Sequence, residues 1–137
     1  MLELKYSNKP PEIYARLKER FGVSFDDGII IADGYTICCK YEVPPEKIVH
    51  ELVHSKRQEE MGKDLWWDLY LSKDSFRLEE EILAYREEYK FICQNILDRN
   101  DRFKFLHDMA RTMSASQYGN ICSYSDAIQL IQNKNGK

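Results

Sequence analysis

A chain of 137 residues, 43% hydrophobic and 31% charged, has the balance of one globular domain with a core large enough to need no staples. Its net charge of −3, with acids and bases interspersed, argues against the basic stripe of a nucleic-acid surface, so no nucleic-acid partner is expected. No run approaches the roughly 18 apolar residues of a membrane span, and the opening MLELKYSNKPPE lacks a secretory pattern. No membrane partner is expected, and the expected location is the cytoplasm.

In chain order, Pro10 and Pro11 suit the first turn of a helix in which Ile13, Leu17 and Phe21 follow at near-helical spacing and Gly22 ends it. The stretch GIIIADGYTICCK predicts strands near 29–32 and 35–40, joined by a two-residue turn at Asp33-Gly34. In the second strand Cys38 and Cys39 point to opposite faces, so one is expected in the core and one at the surface. With Cys93 and Cys122 they form no C-x-x-C pair and read as free thiols. Pro44 and Pro45 open a second helix running to about Met61, with Gly62 as its stop. KDLWWDLYLSKDS reads as a connector with one or two short helical turns, in which Trp66 or Trp67 at least must be buried. Ser75 opens a long helix to about Leu97. Further helices are expected near 101–113 and 125–132, with a turn at Tyr118-Gly119-Asn120 between them. The end of the chain, 132–137, with its NKNGK, reads as frayed. The order predicts one α+β, mostly α domain over residues 1–137: an N-terminal helix, a small β-ribbon, then helices.

The second helix carries IVHELVHSKRQ, which places His50 and His54, two of only three histidines, one turn apart on one face beside Glu51. At about 100° per residue the histidines border an apolar arc of Ile48, Val49, Leu52 and Val53. Neutral imidazoles so placed can hold Zn2+ with a corner left for water, and a neighbouring carboxylate that is not itself a ligand can take that water's proton. Two ligands are too few for a hydrolytic zinc. A metzincin would have Gly at position 57 and His at 60, where this chain has Arg57 and Glu60. The choice falls on a carboxylate of the long helix, FRLEEEILAYREEYKF. Against its stripe of Leu78, Ile82, Tyr85, Tyr89, Ile92 and Ile96, Glu81 lies about 60° from centre, Glu79 about 100° and Glu80 about 160°. Glu81 is the best placed third ligand, and Glu88, on the rim two turns later, is the second choice.

HELVH followed on a later helix by EILAY resembles the gluzincin clan of zinc metallopeptidases. The small size, with a helix and a ribbon ahead of the histidine helix, resembles the minimal members called minigluzincins. The resemblance covers roughly residues 28–90. It implies a peptide-bond hydrolase with His50, His54 and Glu81 as zinc ligands and Glu51 as general base and acid. No organic cofactor is implied. It further implies that the ribbon's edge strand, expected among residues 35–40, pairs with an extended protein or peptide substrate. Many gluzincins carry Asp four residues after the ligand Glu, supporting a histidine. This chain has Tyr85, whose hydroxyl can serve that support or polarise the substrate carbonyl. Tyr70, Tyr118 and Tyr124 read mainly as packing residues, any one of which can stabilise an oxyanion, and His107 reads as a surface or core-edge histidine. Three variants of this reading stay open. The C-terminal segment can hold the enzyme latent by lying over the cleft, the scaffold can be a non-proteolytic binding module whose zinc is structural or vestigial, or the enzyme can be a narrow protease for one regulator, such as a repressor.

Overall fold

The computed structural model describes residues 3–132; the expected fraying of residues 133–137 lies outside the described residues. Strand β1 (Lys5–Ser7) leads to helix α1 (Tyr14–Phe21), which Gly22 closes in the left-handed conformation (φ +70°). A 3-10 turn at Phe25–Asp27 precedes the hairpin β2 (Ile31–Asp33) and β3 (Thr36–Cys38). Helices α2 (Pro45–Met61), α3 (Lys63–Ser72), α4 (Asp74–Asn95) and α5 (Arg99–Met113) follow. A second 3-10 turn (Ser116–Tyr118) leads into α6 (Tyr124–Gln132). The fold is α+β and mostly α, and no helix among the described residues is long and apolar enough to cross a membrane.

Four local expectations are corrected. The hairpin turn is Gly34-Tyr35, one residue later than expected, because Gly34 supplies the positive φ (+61°) at the first central position while Asp33 pairs with Thr36. Strand β1 was not foreseen: it is three residues long, largely exposed, and pairs in parallel with β3. The sheet order is therefore β1-β3-β2, so residues 36–38 form the middle strand and the edges are β1 and β2. The connector is a full ten-residue helix, α3, which buries both Trp66 and Trp67. Cys38 and Cys39 are both buried, because Cys39 follows the strand's last paired residue and its thiol turns under Gly28 O at 3.6 Å. All four cysteines are free thiols.

Two apolar clusters form the core. One gathers Leu17, Phe25, Ile31, Cys38, Trp66, Trp67, Tyr70 and Leu71 from α1, the sheet and α3. The other gathers Tyr85, Ile92, Leu106, Met109, Ala110, Met113, Ala127 and Ile131 from α4, α5 and α6. Between them α2 lies along α4 through polar contacts: His50 and His54 meet Glu81, His50 and Lys47 meet Glu88, and Arg57 meets Glu80, while the buried Gln58 turns to the hairpin. This inverts the expected faces of α2, since the arc Ile48, Val49, Leu52 and Val53 is only half-buried. Groups so buried must find partners in the protein.

Candidate metal centre

Helical periodicity brings the site together. His50 and His54 stand one turn apart on α2, with ring centroids 5.0 Å apart and planes at 79°. Glu81 reaches them from α4: His50 Nε2 lies 3.1 Å from its Oε1 and His54 Nε2 lies 3.2 Å from its Oε2. Glu81 is wholly buried, not part of a solvated acidic face. The carboxylate of Glu51 lies 3.8 Å from His50 Nε2, and the ligand atoms of His50, Glu51 and His54 all lie within 4.8 Å of one another. Among the described residues, nothing in the protein hydrogen-bonds to that carboxylate. Glu51 also lines a cavity of about 280 Å³ shared with His50, His54, Ile31 and Tyr118.

Each histidine has a different rear support. His50 Nδ1 meets Glu88 Oε1 at 2.9 Å, and Lys47 Nζ meets Glu88 Oε2 at 2.7 Å. Glu88, the second candidate for ligand, therefore stands behind His50 and not at the shared point. It supplies the support considered for Tyr85. Tyr85 packs the edge of its ring on His50, with centroids 4.4 Å apart, and its hydroxyl meets the Tyr118 hydroxyl at 3.0 Å. His54 Nδ1 is buried without a partner among the described residues. Glu81 is steadied by Tyr70, whose hydroxyl donates to Oε2 at 2.6 Å.

Glu80 departs from its expected outward placement. It accepts a forked pair of bonds from Arg57 and one from Trp66 Nε1 at 2.9 Å, so it pins α2 and α3 to α4 beside the site. Arg77, fully buried, donates to Tyr118 O and Tyr70 O, each at 2.6 Å, and pairs with Asp74. It thus holds the backbone of Tyr70, whose hydroxyl meets Glu81, and of Tyr118, whose hydroxyl meets that of Tyr85. His107 stays apart, half-buried on α5 and bonded to the Tyr124 hydroxyl.

The electrostatics follow from burial. Desolvation pulls the His50 imidazolium down, but a carboxylate at each ring nitrogen, from Glu81 and Glu88, outweighs it and holds the pKa up at about 10. Burial pushes the Glu81 carboxyl up, and the two imidazoles outweigh it, leaving it well below the usual carboxylate range. Burial raises Glu51 against the pull of both histidines. Burial also raises the Tyr70, Tyr85 and Tyr118 phenols, so all three stay protonated donors.

Two spacings among His50, His54 and Glu81 can be set against those of a zinc site. Ligand atoms about 2.0–2.1 Å from a tetrahedral zinc stand about 3.3 Å apart. The two imidazole-to-carboxylate separations of 3.1 and 3.2 Å come close to that spacing. A cation at this point would replace the proton that His50 otherwise needs between Glu81 and Glu88. The roles of Lys47, Tyr70 and Arg77 were missed from sequence. Lys47 alone left a signal, three residues before His50 and so on the same side of α2. Compared with protein-family models, curated proteins and solved structures, the chain finds no match.

Proposed function

We propose that the protein is a zinc-dependent metallopeptidase of gluzincin type, with His50, His54 and Glu81 as metal ligands and Glu51 as general base and acid. The observation that carries this reading is the meeting of both Glu81 oxygens with the two imidazole Nε2 atoms, beside a buried, cavity-facing Glu51 carboxylate that has no hydrogen-bond partner among the described residues. Zinc, when bound, would supply Lewis acidity to water and to a peptide carbonyl.

The remaining chemistry belongs to the chain. Glu51, raised by burial, is suited to take a proton from water and pass it to the leaving amine. Glu88 holds the Nδ1 proton of His50, so Nε2 keeps its lone pair for the metal. Tyr70 donates its proton to Glu81 and is committed there. The Tyr85–Tyr118 pair uses one of its two hydroxyl protons internally and keeps the other for the substrate carbonyl oxygen. Both tyrosines line the cavity, and Tyr118 is the less buried of the two, so it makes that donation.

The test is Glu51→Gln. The variant should bind zinc with wild-type stoichiometry and lose about 10²–10⁴ in the rate of cleaving an unstructured protein such as casein. Undiminished cleavage, or loss of zinc, contradicts the assignment.

A further inference from the structure

Strand β2 is a sheet edge that borders the candidate centre: Ile29, Ile30, Ile31 and Ala32 line the same cavity as His50, Glu51 and His54. Asp33 and Thr36 flank the two-residue turn, and such a flanking pair exchanges both of its backbone bonds. By alternation Ala32 turns its N–H and C=O away from β3, and Ile30 does the same just ahead of the strand. These outward groups are what an extended chain would pair with.

One stretch of this edge is already taken. The side chain of Gln58, almost wholly buried, donates Nε2 to Ala32 O at 2.8 Å and accepts Gly34 N–H on Oε1 at 2.7 Å. A residue of a parallel neighbouring strand makes this pair of bonds, bridging the C=O of one residue and the N–H two residues on. Lys63 closes the same end by its ion pair with Asp33 at 3.2 Å.

We infer that Gln58 acts as a strand stop, limiting a bound chain to the Ile30 groups and the Ala32 N–H. This rests on the metallopeptidase reading and gives it a substrate geometry. His50, His54 and Gln58 follow one another at four-residue steps, so one helix face offers both the imidazoles and the stop. Gln58 sits about 6 Å beyond His54 along the axis, at about 1.5 Å per residue. An extended chain covers that in about two residues of roughly 3.3 Å each. The substrate is therefore an extended segment that pairs for only about two residues on one side of the centre, where its chain either ends or bends away.

Two series of oligo-alanine hydroxamates test this, one with the zinc-binding group at the C-terminus and one with it at the N-terminus, each of increasing length. On the zinc-loaded protein, one series should stop gaining affinity after about two residues while the other keeps gaining. In Gln58→Ala, checked for wild-type zinc affinity, the stalled series should gain about 3–10-fold on further extension, since one freed backbone bond is worth about 1 kcal/mol. Gln58→Met, which keeps the volume without the hydrogen bonds, should leave that series stalled while moving the Gly34 amide resonance. Both series gaining alike in the wild type, or a series still stalled in Gln58→Ala, would overturn the stop. Failure of every hydroxamate to bind the zinc-loaded wild type would instead overturn the metallopeptidase reading, and the stop with it.

Discussion

His50 is held on three sides, with carboxylates at both ring nitrogens and Tyr85 against its ring. In the metal-free protein its folded pKa of about 10 exceeds the ordinary 6.5, so its contribution to stability is complete below 6.5 and is lost as pH rises through about 10. Glu81 has the opposite sign: its depressed pKa contributes above 4.5 and loses that contribution as pH falls through its lowered value. From these two groups, the metal-free protein should be most stable between pH 4.5 and 6.5, which denaturant melts across pH will show. Because the metal must displace the His50 proton, zinc uptake near neutral pH should release about one proton, read by calorimetry in buffers of different ionisation enthalpy. Glu88→Gln weakens the hold on the Nδ1 proton and should lower zinc affinity by about 10–100-fold while leaving the stoichiometry unchanged. Unaltered affinity would return the orienting role to another side chain.

Among the elements, α4 serves two masters. Its apolar stripe faces α5 and α6, while Arg77, Glu80, Glu81 and Glu88 face α2 and α3. Periodicity found the stripe and, from its rim, Glu81. It could not find the burial of Glu80, whose partners Arg57 and Trp66 come from two other helices. The bounds of α2 were legible because Pro45 and Gly62 mark them, whereas α3 was not, since no spacing of KDLWWDLYLS separates one face from another. The hairpin was legible and its register was not, as Asp33-Gly34 and Gly34-Tyr35 both offer a glycine turn. Arg77 joins α3, α4 and the 3-10 turn at Ser116–Tyr118, and Gly119 leaves room for it: a Cβ there would lie 2.9 Å from Arg77 Nη2, at a φ of +82°. Arg77→Met should strand the buried Tyr70 carbonyl and the half-buried Tyr118 carbonyl and cost about 3–5 kcal/mol in urea unfolding. A cost below about 1 kcal/mol would show that the turn is held without it.

At the scale of the whole molecule, the site is a polar seam closed on either side by an apolar cluster. That arrangement buries the imidazoles and carboxylates, which strengthens their interactions and fixes their aim. Gln117 and Tyr118 line the cavity, while α6 buries Ala127 and Ile131 in the second cluster. On the proposed reading, zinc at about 100 times its dissociation constant should add about 2.7 kcal/mol to stability, visible as a raised Tm. The central claim is that three side chains from two helices share one cation. A zinc-edge anomalous difference map of crystals grown with zinc tests it most directly. The account predicts one peak within about 2.0–2.2 Å of His50 Nε2, His54 Nε2 and a Glu81 oxygen, with a remaining position open to the cavity. No peak at this point, or a peak there that leaves Glu81 uncoordinated, would contradict it.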